Sequence, residues 1–191
     1  MCRNLFVFDI GRVKYSQESN REKDTIKMLK QSYTFQSPIG ILTISEAGGY
    51  LTDLFLEREN AGLLSEKQSE QRYHPHSEVL YETYCQLREY FAGNRREFTI
   101  PIRAEGTMFQ KRVWEELRKI PYGATRSYAE IADGIGNPKA VRAVGQANHR
   151  NPILILVPCH RVIHKNGDIS GFGCGDDVKR YLLELEGRKE R

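Results

Sequence analysis

The sequence predicts an α/β (α+β) protein in two parts: a small N-terminal domain of sheet and helix, then a helical C-terminal domain with a helix-turn-helix pattern. Three observations carry this. Strand-like segments punctuated by Pro38-Ile39-Gly40 and Gly48-Gly49 cluster before residue 57. Capped, amphipathic helical stretches dominate after residue 106. A polar stretch, "RAEG", separates the two regimes. The 191 residues suit one large domain or two small ones. The expected organisation is a poorly ordered extension over 1–32, a supporting α/β domain over 33–105 and a functional domain over 106–191.

In chain order, residues 1–31 end in the charged run "SQESNREKDTIKMLKQ", which has little to offer a core. "YTFQSPIGILTISEAGGYLTDLFLE" reads as a β-hairpin or meander. "ENAGLLSEKQSEQRYHP" reads as a loop or weak helix. "SEVLYETYCQLREYFAG" places apolar residues at 79, 80, 84, 87 and 91, a helical stripe closed by Gly93, with Cys85 as a small packing residue. "REFTIPI" is expected as a short strand.

Thr107 and Gln110 stand at capping-box spacing, and Val113, Trp114, Leu117 and Ile120 form the inward face of the helix they open. After the "PYGA" turn, Ser127 and Glu130 repeat the capping box. Asn137 then serves as N-cap with Pro138 at the first helical position. "DDVKRYLLELEG" closes the chain as a helix with acids in its first turn and Gly187 past its end. The Gly-Asn-Pro turn between two short helices gives the helix-turn-helix pattern, which serves equally as a packing unit or a DNA-binding unit. Ala140, Ala143, Gly145 and Ala147 let the second helix lie close either to another helix or to a DNA groove, with Arg142 projecting from it.

No apolar run reaches the roughly 18 residues of a spanning helix. The N-terminus lacks a signal-peptide pattern. Cysteines at 2, 85, 159 and 174 show no CxxC spacing, which favours thiols in a reducing compartment. Residues 1–106 carry 14 basic and 15 acidic side chains, whereas residues 107–191 carry 15 and 10. The positive excess therefore lies in the C-terminal half, where it suits either a polyanion or a solvated surface.

The sharpest signal is "ILILVPCHR". Five apolar residues lead to Pro158, which suits a strand end, and then to adjacent Cys159 and His160. Burial disfavours a thiolate, so the ordinary thiol pKa of about 8.5 should rise there. A nucleophilic Cys159 then needs a base and a group to orient it. His160 is the candidate base. Neighbouring strand residues point to opposite faces, so the pair must sit at a turn or helix start, or act through a water. Glu186 can reach the imidazole from the end of the last helix. An inert buried cysteine beside a surface histidine also fits the pair. Zinc on Cys159, His160, His164 and Cys174 fits poorly, because no familiar ligand spacing recurs.

"VPCHRVI", the preceding Asn151-Pro152, "GNPKAVRAVG", "TMFQKRVWEELRKIPYG" and the closing "LLELEG" together resemble the methylated-DNA–protein-cysteine methyltransferases, the O6-alkylguanine-DNA alkyltransferases. The likeness is dense over about 107–187 and looser back to about residue 33. It implies a ribonuclease H-like N-terminal domain and a winged-helix-like C-terminal domain. It also implies direct, single-turnover reversal of O6-alkylguanine, and of O4-alkylthymine, in double-stranded DNA. No cofactor and no metal are implied, and the expected protein is a monomer of the cytoplasm, or of the nucleus in a eukaryote. Cys159 becomes the alkyl acceptor, His160 a base acting through water, Glu186 its polarising partner, Asn151 the brace of the thiol turn and Tyr128 the donor to the leaving guanine. On sequence alone Tyr128 reads first as a core aromatic of the first helix, and only the resemblance gives it the donor role. Val157, Phe172, Gly173 and Cys174 line the base pocket, and Asn137, Ala140, Arg142, Ala143, Gly145 and Lys165 face DNA, Arg142 filling the gap left by the everted base.

Two departures from the family pattern stand out. Phe172-Gly173-Cys174-Gly175 replaces the usual Tyr-small-Gly-Gly. Cys174 is expected to narrow the pocket against bulky alkyl groups, and to be able to pair with Cys159 under oxidation. Residues 1–27 have no counterpart in the family, whose ordinary start follows Met28; they read as a lineage-specific tail or as the product of a start codon placed too early. Two rival functions remain at this stage: a multi-turnover Cys-His hydrolase, and a module that binds alkylated DNA without repairing it.

Overall fold

The computed structural model describes residues 30–57 and 77–187. The expectations for 1–29, and for the loop or weak helix of 58–76, lie outside the described residues.

The N-terminal strands form an antiparallel meander in the order β1 (Gln31–Ser37), β2 (Gly40–Ala47), β3 (Tyr50–Leu56). Gly48 and Gly49 have φ of 60° and 80°, which lets a two-residue turn match the strand twist and sets Ala47 opposite Tyr50. Alternation sorts the central strand: Leu42 and Ile44 are fully buried on one face. On the other, Thr43 pairs with Thr34 and Ser45 with Ser32 through hydroxyls 2.8 Å apart. Helix α1 (Glu78–Phe91) crosses the sheet and buries Leu80, Thr83, Gln86, Leu87 and Tyr90.

The strand expected over "REFTIPI" does not form. The segment runs extended and touches the sheet through one parallel bridge, Ile102 to Leu51. The bridge is held by Leu51 N–H donating to Pro101 O (2.9 Å) and Arg103 N–H donating to Leu51 O (2.8 Å), and Pro101 itself brings no N–H that could extend the ladder.

In the second half, α2 (Met108–Leu117) and α3 (Tyr128–Gly134) both open with complete capping boxes. Val113, Trp114, Leu117 and Ile120 are all buried. The next helix is not continuous from Pro138. A single 3-10 turn, Pro138–Ala140, precedes α4 (Val141–His149), and the Asn137 side chain makes no capping bond. Proline at the first position costs no intrahelical bond, because the first N–H groups of a helix have no partner within it, and the chain takes one tighter turn before the α-helix proper. The small residues of α4 divide: Ala147 faces inward, where its carbonyl accepts from Trp114 Nε1 (2.9 Å), while Ala143 faces out. Helix α5 (Asp176–Leu185) ends with Gly187 at φ 88°.

Two further connections position the site. A short parallel pair, β4 (Arg126–Ser127) with β5 (Val162–Ile163), puts Tyr128 beside the Cys159 segment. Strand β3 exchanges hydrogen bonds with the loop before the thiol, Leu54 N–H to Pro152 O and Leu154 N–H to Leu54 O, both 2.9 Å. One continuous core joins Leu42 and Leu87 to Val144 and Leu182.

Candidate active site

Residues 153–157 are not the strand that the apolar run suggested. They coil in a fully buried turn in which Val157 N–H reaches Ile153 O (3.0 Å) and Cys159 N–H reaches Val157 O (2.8 Å). Closing it forces Ile155 to φ 70°, a left-handed conformation that costs a β-branched residue about 1–3 kcal/mol. Asn151 ties the turn from both sides: Nδ2 donates to Val157 O (2.7 Å) and Oδ1 accepts from Ile153 N–H (3.0 Å).

Pro158 hands the chain to a 3-10 turn, Cys159–Arg161. The Cys159-His160 pair thus sits at a turn, one of the alternatives that adjacency left open. Burial pushes the Cys159 thiol up to about 12, opposed in part by a hydrogen bond from Asn151 and the charge of Lys179. At neutral pH the resting sulfur is therefore a protonated thiol.

His160 is fully buried, and burial lowers its pKa against the opposing pull of Glu186. Its Nε2–H donates to Glu186 Oε1 (3.0 Å), which leaves Nδ1 as a lone-pair acceptor that bonds no described residue. Glu186, at the C-cap of α5, is the centre of this arrangement. Oε2 accepts from Arg161 Nε (2.8 Å) and Gly123 N–H (3.2 Å); Oε1 accepts from Arg161 Nη2 (2.9 Å), Tyr90 OH (2.7 Å) and His160. Burial would raise its pKa, but the bonds from His160 and Arg161 outweigh it and hold the carboxyl well below the usual range. The group is therefore a buried, fully satisfied anion.

Sulfur looks out on a cleft of about 1460 Å³ lined by Tyr128, Gly145, Cys159, Phe172, Gly173 and Cys174, with Ile39 and Leu56 of the N-terminal sheet on its far wall. Tyr128 is half-buried, its ring 5.4 Å from that of His164, and burial and then the Cys159 charge raise its pKa, so the phenol stays protonated. Gly173 sits against His149, where an added Cβ would come within 3.0 Å of Nδ1. Lys179 Nζ lies 5.5 Å from the centre of the Phe172 ring. Cys174 lines the cleft as a thiol, not a disulfide. Val157 differs from expectation: its side chain is fully buried and outside the cleft wall. Asn137, Arg142, Ala143 and Lys165 are exposed, Ala140 is half-buried, and Gly145 faces Tyr128 rather than open solvent, with its nearest ring atoms 4.0 Å from a hypothetical Cβ.

Sequence reasoning assigned no role to Arg161, Tyr90 or Asn148. Arg161 was visible behind the Cys-His pair, but its partner is 25 residues away. Asn148, buried on α4, donates to Cys159 O (3.3 Å). No group of three or more His, Cys, Asp or Glu suited to a metal occurs among the described residues. None of their helices is long and apolar enough to cross a membrane.

Comparison with known proteins gives concordant results. Residues 28–104 match the family described as "6-O-methylguanine DNA methyltransferase, ribonuclease-like domain" and residues 108–188 its "DNA binding domain". The chain is 47% identical over 155 residues to the constitutive methylated-DNA–protein-cysteine methyltransferase of Bacillus subtilis, covering 80% of this chain and 93% of that one. Against the Methanosarcina acetivorans methylated-DNA–protein-cysteine methyltransferase, identity is 47%, covering 80% and 96%. The crystal structure of Mycobacterium tuberculosis O6-methylguanine methyltransferase superposes with a TM-score of 0.71 at 46% identity, covering 83% and 93%. That of Mycobacterium tuberculosis OGT in complex with DNA gives 0.69 at 46%, covering 81% and 91%.

Proposed function

The chain belongs to the O6-methylguanine-DNA methyltransferase family, and from that premise we propose how its residues repair O6-alkylguanine, and O4-alkylthymine, in double-stranded DNA. The observation that carries the reading is the buried Cys159 thiol next to a neutral His160 that is itself anchored on Glu186.

Cys159 sulfur attacks the alkyl carbon. The S–C bond forms as the C–O6 bond breaks, and both electrons of the latter stay on guanine. The thiol proton passes through a water to Nδ1 of His160, whose other nitrogen is held by Glu186. Tyr128 donates to the guanine anion, which is a poor leaving group until its charge is neutralised. The proton lost from sulfur restores the balance through His160 and solvent. The thioether product offers water no electrophilic carbonyl and no leaving group, so each molecule acts once. Asn151 braces the turn that carries sulfur.

In-line displacement cannot occur on a stacked base, so the base is everted at a cost of roughly a few kcal/mol. The exposed face of α4 enters the minor groove, with Arg142 filling the gap and Asn137, Ala140, Ala143, Gly145 and Lys165 toward DNA. Phe172, Gly173 and Cys174 close on the base. The site implies no cofactor, and a monomer in a reducing compartment, the cytoplasm or a eukaryotic nucleus, is the expected form.

The test is incubation with DNA carrying O6-[methyl-³H]guanine, followed by peptide mapping. The expected result is a plateau at one label per chain on the peptide holding Cys159, absent in Cys159→Ala. Continuing product formation, or label elsewhere, overturns the reading.

A further inference from the structure

The residue that completes the Glu186 site comes from the other domain. Tyr90, in the last turn of α1, is fully buried, and its hydroxyl donates to Glu186 Oε1 at 2.7 Å, across 96 residues of sequence. The same oxygen carries the bond from His160. The Tyr90 ring is packed among Phe91, Phe98 and Tyr122, at centroid distances of 5.5, 5.5 and 6.2 Å, so the hydroxyl has one direction in which to point. Tyr122 supports the same place from the inter-helix loop, donating to Leu185 O (3.0 Å), the residue before Glu186.

Resting on the transfer mechanism above, we propose that Tyr90 is a positioning residue: its hydroxyl shares the charge of Glu186 and so sets the proton affinity of His160. A carboxylate with one fewer donor attracts the imidazolium more strongly. His160 would then hold a proton to a higher pH than in wild type and accept the thiol proton less readily there. The charged and titratable groups facing His160 are Glu186 and Lys179 from α5 and its cap, and Arg161 from its own turn; Tyr90 and Tyr122 face it through Glu186 and Arg161. Arg161 and Lys179 oppose protonation and Glu186 favours it. Tyr90 and the Gly123 N–H temper Glu186 without bringing a charge, and of the two Tyr90 comes from the N-terminal domain and shares the oxygen that holds His160. This gives the small domain a part in the chemistry.

The experiment is Tyr90→Phe, which deletes one oxygen and keeps the ring. The rate of methyl transfer to Cys159 is followed from pH 5.5 to 9, together with an NMR titration of ¹⁵N-histidine-labelled protein. The expected result is one methyl group per chain as in wild type, a rate several-fold lower at the acid end of the range that recovers as pH rises, and a His160 imidazole pKa higher than in wild type. A pH–rate profile that keeps the wild-type shape, scaled or not, with an unmoved imidazole pKa overturns the proposal. The titration needs no activity: if wild type transferred no methyl group, the mechanism above would fall while His160 still reported on Tyr90. Should Tyr90→Phe not fold, replacing Tyr90 with 4-aminophenylalanine keeps the volume and a weaker donor, and a shift in the same direction but smaller is expected; no shift overturns it.

Discussion

The two ends of the site differ in kind. At the closed end Cys159, His160, Arg161 and Glu186 are all buried, and almost every polar atom is matched. At the open end Tyr128, Phe172 and Cys174 are half-buried and line the cleft. The contrast teaches that reactivity and selectivity are built separately. A thiol held near 12 is inert toward adventitious electrophiles and depends on its neighbours for ionisation. The walls that meet the base can vary without disturbing that machinery.

Changes at the closed end are expected to be the largest. Glu186→Gln leaves the Arg161 guanidinium, 8% exposed, without its carboxylate. A loss of about 3–5 kcal/mol of stability is expected, read from urea unfolding. A midpoint equal to wild type would mean that the anion is not what holds this end together.

Acid sharpens the comparison further. His160 has a lowered pKa, so the unfolded imidazole takes up a proton at a pH where the folded one does not. Its contribution to stability is present above about pH 6.5 and is lost as pH falls below that value. Glu186, also lowered, contributes a second loss below about pH 4.3. Melting temperatures should therefore be level between about pH 6.5 and 8.5 and fall on acidification. They should fall again at higher pH, where the unfolded Cys159 thiol ionises while the folded one, pushed up to about 12, does not. His160→Gln should flatten the first acid fall. An unchanged slope in that variant would place the acid sensitivity elsewhere.

The smallest effect belongs to the open end. Cys174→Gly removes a side chain from the cleft wall and is expected to raise the rate with O6-benzylguanine relative to O6-methylguanine several-fold, with little change in stability. An unaltered ratio, or a wild type that already takes the benzyl substrate as fast as the methyl one, would show that Cys174 does not restrict the pocket.

Much of this was legible along the chain. The capping boxes at Thr107 and Ser127, the turn glycines 48 and 49, and the inward face of α2 are local rules, satisfied within a few residues. The turn at Cys159-His160 was one of the alternatives that adjacency left open. The errors came where a proline or a distant partner decided. Pro101 brings no N–H to a ladder, and the segment from Pro138 takes a 3-10 turn before the helix proper. The run Ile153–Val157 is apolar enough for a buried strand, yet its backbone bonds fold it on itself.

The sequence by itself determined which segments could be helix or strand, and which thiol and imidazole stand together, because those depend on spacing along the backbone. Only tertiary structure decided that Tyr90, Gly123, Arg161 and His160 converge on one carboxylate. A buried charge must collect its hydrogen bonds from whatever packs around it, and those donors arrive from separate segments once the core has closed.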